Sequence, residues 1–254
     1  MSRQHRRRFG PLCRSLALFT WPLFFAVNEP GLAGPAQVVG PDSPPWLRAV
    51  GKLHVPGVKF ERGHQLNHRE DCSATLVAKA GSDDSANVIV TAWHCLEFYR
   101  DLSKAIRFTL LYGSDESFTT QAYRVVDGGG MHADWAILRL QQAVPSDTIR
   151  ALKVHPEKAD VLRPIVMAGY SKNSPENQLS YDADCSILLP PNAGEKGHAS
   201  NCSARKGASG GAVVQLSSQG EPLLAGVISQ GDGGEFTVFV PVADFRWALH
   251  ASLR

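Results

Sequence analysis

The chain has 254 residues, enough to bury a substantial core, and 43% of them are hydrophobic against 20% charged. A formal charge of +2, with no cluster of Lys and Arg interleaved with aromatics, gives nucleic-acid binding no support. The leading apolar run, residues 16–27, falls short of the ~20 residues that a membrane-spanning helix requires.

That run belongs to the first predicted element. Arg3, Arg6, Arg7, Arg8 and Arg14 precede or flank it, and small residues follow at Gly31, Ala33, Gly34 and Ala36. This is the layout of a secretory signal peptide ending near residue 33. Arg6-Arg7-Arg8-Phe9 is also similar to a twin-arginine signal. Removing residues 1–33 takes five of the 26 basic and one of the 24 acidic side chains, which leaves a net charge of −2. An exported protein, extracellular or periplasmic and without a stable membrane anchor, is expected.

From residue 34 onward short apolar runs alternate with Gly, Pro, Asn and Asp. The clearest are Val88-Ile89-Val90, residues 106–111, Ala136-Ile137-Leu138, Ile165-Val166-Met167, Ala212-Val213-Val214, residues 224–228 and residues 237–240. β-Branched residues suit a pleated, half-buried surface, and turn residues bound each run, so the spacing predicts an all-β barrel or sandwich. Residues 242–253 alone read as a helix, with Phe245, Leu249 and Trp247 offering apolar contacts. Residues 141–160 are polar, contain Pro145 and Pro156, and are expected to cross between two halves. His64-Gln65-Leu66-Asn67-His68 has an H-x3-H spacing, but Gln65 stands where a zincin needs Glu and helical periodicity is missing, so a solvated loop is expected. Gly128-Gly129-Gly130 reads as a flexible turn, because no Lys-Ser/Thr follows it to make a phosphate cradle.

Three segments at the borders of apolar runs carry chemistry. They are Thr91-Ala92-Trp93-His94-Cys95, Asp134-Trp135-Ala136-Ile137-Leu138 and Gly207-Ala208-Ser209-Gly210-Gly211. Peptide or ester hydrolysis near neutral pH needs a nucleophile, a base to take its proton and a buried carboxylate to orient that base. Ser209, His94 and Asp134 are those three types. Once Cys13 is assigned to the signal, Cys72, Cys95, Cys185 and Cys202 remain, an even set that reads as two disulfides in an exported protein. Three pairings are possible. Cys72–Cys95 with Cys185–Cys202 is favoured because each pair accompanies one catalytic segment and closes a loop of about twenty residues. No C-x2-C spacing points to zinc instead, and the chemistry requires no cofactor.

The segments resemble the chymotrypsin family of serine endopeptidases. Thr91-Ala92-Trp93-His94-Cys95 is similar to its T-A-A-H-C, residues 134–140 to its D-[IV]-A-L-L-x-L and residues 207–211 to its G-D-S-G-G. Residues 226–231 resemble its substrate-binding G-[IV]-V-S-W-G strand, and the order His–Asp–Ser agrees. The resemblance implies two six-stranded antiparallel β-barrels with a C-terminal helix. Residues 34–145 would carry His94 and Asp134 in the first barrel, and residues 146–254 the crossing, the second barrel with Ser209, and the helix. It further implies Ser209 as nucleophile, His94 as base and acid, Asp134 as orienting carboxylate, and the N–H groups of Gly207 and Ser209 as oxyanion donors. Ser203, Ser229, Gln230 and Gly231 would bind substrate, a protein or peptide; no other partner is indicated, and a monomer is expected.

Ala208 departs from the family pattern, which has Asp there in the trypsin-like branch to receive a new amino terminus. Ala208 cannot receive that amine, so the pocket must be held open otherwise, although Val38-Val39-Gly40 is similar to the activated terminus. Counting back without gaps puts Ser203 at the base of the primary pocket, where a trypsin-like enzyme has Asp. Gly231, Gly233 and Gly234 leave room beside it, so a pocket for uncharged residues is expected, with Arg205 or Lys206 able to lean in and favour acids. Two other readings compete. The G-x-S-x-G elbow of α/β-hydrolases needs a buried strand before Ser209 and a helix after it, whereas residues 198–206 are polar and Ala212-Val213-Val214 reads as strand. A non-catalytic binding module on the same fold is the other; such modules usually lose a triad member, and none is lost here.

Overall fold

The computed structural model describes residues 36–79, 81, 85–172, 177–188, 198–232 and 236–254. The expected signal segment with Cys13, and Gly233 and Gly234, lie outside the described residues. After a short strand β1 (Gln37–Val38) and a 3-10 turn, Pro45–Ala49, come β2 (Val50–Glu61), β3 (His64–Ala78), β4 (Ala86–Thr91), β5 (Ile106–Leu110), β6 (Phe118–Asp127) and β7 (Ala136–Val144). β2 to β7 pair antiparallel in the order β3-β2-β5-β6-β7-β4, and a β3–β4 ladder closes the ring into a six-stranded barrel. Inward positions alternate with outward ones, as the period of a strand requires. Leu53, Leu76, Ile89, Phe108 and Leu138 fill the interior, each fully buried and each contributing about 1.5–3 kcal/mol. Gly51 makes room for one of them: a Cβ there would lie 2.4 Å from the ring of Phe108.

The second half runs through β8 (Leu152–Val154), β9 (Ile165–Tyr170), β10 (Leu179–Cys185), β11 (Ile187–Leu188), β12 (His198–Ser200), β13 (Ala212–Leu216), β14 (Pro222–Gly231), β15 (Thr237–Pro241) and helix α1 (Val242–Ser252). Its curved sheet has the order β10-β9-β13-β14-β15-β12-β11, with β1 added outside β10. β10 and β11 are separated only by Ser186, so the sheet returns to its start through the chain, where the first barrel closes by a ladder. β8 lies in the expected crossing and pairs parallel with β14 on one side and β3 on the other, which joins the two halves. Helix α1 buries Phe245, Ala248 and Leu249, and Phe245 stacks on Trp135 at 5.2 Å between ring centroids.

Three expectations change. The hairpin of β2 and β3 was not among the predicted strands, and His64–His68 lies in β3 rather than in a loop. Its ladder runs from Val50↔Thr75 out to Glu61↔His64, but β5 and β4 flank only residues 51–54 and 75–77. The outer part is a two-stranded ribbon, largely solvated, so no alternating apolar pattern was needed to form it. Trp247 is 69% exposed. Two residues from Phe245, it is turned some 200° round the helix, away from the core. The Gly128–Gly130 turn is tied down: Gly128 N–H donates to the Trp135 carbonyl at 3.0 Å, and a Cβ on Gly128 would meet the Ala133 oxygen at 1.8 Å.

Candidate active site

His94 sits in a 3-10 turn, Trp93–Leu96, just after β4. The next residue, Cys95, is bonded to Cys72 in β3, which fixes that turn to the barrel. Asp134 immediately precedes β7 and is 1% exposed. Three donors converge on its carboxylate. His94 N–H reaches Oδ1 at 2.8 Å, His94 Nδ1 reaches Oδ2 at 2.8 Å, and Ser229 Oγ donates to Oδ2 at 2.5 Å. Burial pushes this carboxyl up, but the bonds from His94 and Ser229 and the charge of His94 outweigh it and hold it below the usual carboxylate range. An ionised carboxylate only accepts, so the Nδ1 of His94 carries a proton and Nε2 of the neutral ring is left as an acceptor.

Ser209 lies in the loop between β12 and β13. Ala208 N–H donates to the Arg205 carbonyl at 2.9 Å, and Gly207, third of the four residues so closed, has φ +100°. A positive φ at that position is the signature of a type II turn and suits glycine. Gly210, also at positive φ, donates its N–H to the Ile228 carbonyl at 2.7 Å, and a Cβ there would fall 2.1 Å from Thr91 Oγ1. Among the described residues no acceptor takes the N–H of Gly207 or of Ser209. Ser209 Oγ donates to the Ser229 carbonyl at 3.3 Å, and it shares a cavity of about 380 Å³ with His94. Rotation about its χ1 is what would carry Oγ from that carbonyl toward the imidazole.

Ser229, Gln230 and Gly231 line this cavity, as do Arg205 and Lys206. Ser203 does not; its N–H donates to Asp182 Oδ2 at 2.7 Å, and the neighbouring Ala204 faces the cavity instead. Asp182 is buried, and burial pushes its carboxyl above the ordinary value. Cys185 is bonded to Cys202, close before the loop of Ser209. Cys72, Cys95 and His94 come near one another, as do Asp182, Cys185 and Cys202, but all four sulfurs are spent in disulfides, so neither group is a metal centre. His132 lines a neighbouring cavity with Asp134, whose carboxylate oxygens are taken by His94 and Ser229.

Ser73 had no sequence signal. Fully buried in β3, it donates its N–H to the Ser209 carbonyl and its Oγ to the Gly207 carbonyl, at 2.8 and 2.9 Å. Its Oγ accepts from Tyr170 N–H and its carbonyl from Thr91 Oγ1, both at 2.8 Å. The first barrel thereby holds the Ser209 loop from behind.

The profile of the trypsin-like peptidase domain matches residues 72–223, more than half of the chain. No curated protein matches it. Among solved structures the fold is similar to that of a thermostable serine protease, AL20, from an extremophilic microorganism, at 18% identity and TM-score 0.60 over 83% of this chain and 100% of that one. It is likewise similar to the structure of GrC, at 15% identity and TM-score 0.62 over 86% of this chain and 98% of that one.

Proposed function

The chain belongs to the trypsin-like peptidase family and has the chymotrypsin fold, and from that premise we propose that Ser209, His94 and Asp134 act as the triad of a secreted serine endopeptidase. The observation that carries the reading is the buried Asp134 carboxylate, which fixes His94 by both its ring and its main chain in a cavity shared with Ser209. In the reaction, His94 Nε2 takes the Ser209 proton as Oγ attacks the substrate carbonyl carbon. The N–H groups of Gly207 and Ser209 donate to the resulting oxyanion, each worth about 3–4 kcal/mol in comparable sites. His94 then gives its proton to the leaving nitrogen as the C–N bond breaks, which leaves an ester on Ser209. Water, deprotonated by His94, attacks that ester, and Ser209 departs with the proton.

The residues that precede the scissile bond would lie along Ser229–Gly231. Among the described residues that line the cavity there is no carboxylate, so cleavage after Arg or Lys is not favoured. Export fits the basic and apolar start of the chain and its two disulfides. No helix among the described residues is long and apolar enough to cross a membrane.

A fluorophosphonate probe tests the nucleophile directly. Wild-type protein is expected to be labelled on Ser209, and Ser209→Ala and His94→Ala to lose labelling and to lower kcat by several orders of magnitude while keeping the fold. Undiminished activity in purified His94→Ala would remove it from the triad.

A further inference from the structure

A cavity of about 940 Å³, larger than the one at Ser209, lies beside the first barrel. Its floor is the outer face of the first barrel. Strand register sets Asp71 of β3 opposite His54 of β2, and His54 opposite Arg107 of β5. Lys52 and Arg69, each two residues along its strand, point to the same side. The tyrosines Tyr112 and Tyr170 stand over this face, their rings edge to face at 6.1 Å.

Charge in the groove is one-sided. Asp71 is engaged by His54 at 2.7 Å and by Arg69 at 3.1 Å. Lys52 Nζ lies 4.1 Å from the centre of the Tyr112 ring, and Arg107 is exposed; among the described residues neither has a carboxylate partner. Among the described residues, two cations of this cavity thus stand without a carboxylate partner, although residues 34–254 carry a net charge of −2.

The groove adjoins the Ser209 loop. Tyr170 N–H is bonded to Ser73 Oγ, and Ser73 N–H to the Ser209 carbonyl. A Cβ on Gly207 would come within 2.6 Å of the Tyr170 oxygen. The two cavities share no lining residue, and the Gly207–Ser209 backbone lies between them, with Tyr170 and Ser73 on one side and Ile228 and Ser229 on the other. A chain that enters along Ser229–Gly231 and crosses Ser209 toward the side of Ser73 and Tyr170 would reach the groove.

We propose that this groove seats acidic residues that follow the scissile bond, so that the favoured substrates are polypeptides with Asp or Glu on the leaving-group side. This rests on the reading of Ser209 as the nucleophile. Arg107 offers its paired N–H donors to a carboxylate, and Lys52, held over its ring, supplies a second charge. The tyrosine faces cover the apolar part of the bound side chains. Free space of this size falls within the range of pockets that bury a drug-sized ligand.

Two substrate series separate the groove from the chemistry. A chromogenic anilide that ends at the scissile bond reads the chemistry alone. Quenched peptides with the same leading residues, extended past the bond by three Glu, three Gln or three Lys, read the groove. The Glu peptide is expected to exceed the Gln peptide about tenfold in kcat/KM at low salt, with Lys lowest, and to lose most of that lead in 0.5 M NaCl. In Lys52→Gln/Arg107→Gln the lead is expected to fall within twofold while anilide hydrolysis stays at the wild-type rate. Anilide hydrolysis with equal cleavage of the Glu and Gln peptides, or a preference that survives the double substitution, overturns the groove and leaves the triad standing. Failure to hydrolyse any substrate or to take the fluorophosphonate overturns the triad. In that event binding of a fluorescent Glu-rich peptide, followed by anisotropy on wild type and double variant, decides the groove by itself: equal or absent binding overturns it, and salt-sensitive binding lost in the variant upholds it.

Discussion

Asp134 accepts three hydrogen bonds where water does not reach. Asn at this position keeps the shape but turns an amide donor toward His94, which must then present a protonated Nε2 to Ser209. Asp134→Asn is expected to keep the fold and to lower kcat by about 10⁴, measured against enzyme counted by active-site titration. The pH dependence of stability follows from the direction of the carboxyl's shift. Its folded pKa lies below the unfolded value, so its contribution is complete above the ordinary carboxylate range and is lost as pH falls through the folded value. The difference in urea midpoint between wild type and Asp134→Asn should therefore be flat above about pH 5 and shrink below about pH 4. A difference that closed between pH 8 and 6 would contradict this. His94, Asp134 and Ser209, the proposed triad, could be picked out of the sequence because each stands in a short motif at a strand border. Ser73 was not, because its partners at Thr91, Tyr170, Gly207 and Ser209 are brought together only by the fold. An ungapped count also placed Ser203 at the pocket base; Asp182 holds the Ser203 backbone, and Ala204 takes the lining position.

At the scale of elements, the turn of His94 depends on its bridge to β3. Cys72–Cys95 spans 23 residues of sequence, a loop whose closure is worth about 3 kcal/mol in the chain-entropy model. Cys72→Ala/Cys95→Ala is expected to lose about that much in denaturant unfolding, and to lose activity in conditions where it is still folded, since the imbalance falls on the turn that carries the base. Wild-type activity in the folded double variant would show that the barrel alone positions His94. Helix α1 gives a paired contrast. Leu249→Ala should cost about 2–5 kcal/mol, whereas Trp247→Ser should stay within about 0.5 kcal/mol, both read from urea midpoints. Of the first-barrel strands after residue 85, β4, β5 and β7 were visible as apolar runs between turn residues, and β6 was not. The β2–β3 hairpin was not, since Pro56, Gly51, Gly57 and a largely polar stretch from His64 to Glu70 break every apolar pattern. Its strands are specified by pairing with each other.

Across the whole molecule, the two halves share structure as well as a site. β8 pairs with a strand of each, and residues of the second half such as Val214, Leu224 and Val227 belong to the same apolar core as the first barrel. One cooperative unfolding transition is therefore expected in calorimetry, with calorimetric and van't Hoff enthalpies equal. Two resolved transitions would show that the barrels melt separately. A six-stranded barrel was readable from the resemblance and one closes as such, but the path of the second half was not: seven strands follow one another there, and β10 and β11 form one path interrupted at Ser186, which no local pattern marks.

The stack of Trp135 on Phe245, together with the bond from Arg139 Nη2 to the Ser252 carbonyl at 2.7 Å, ties the strand that follows Asp134 to the last turn of α1. Seen as a sequence of events in time, this sets the order of assembly. A ribosome releases Asp134, and His94 before it, 95 residues ahead of Ser229 and 111 ahead of Phe245. Ser229 completes the carboxylate's set of donors, and Phe245 covers its neighbour. A nascent chain thus presents His94 and Asp134 before the partners that hold them, and the proposed triad gains its full support only once residue 245 has been made.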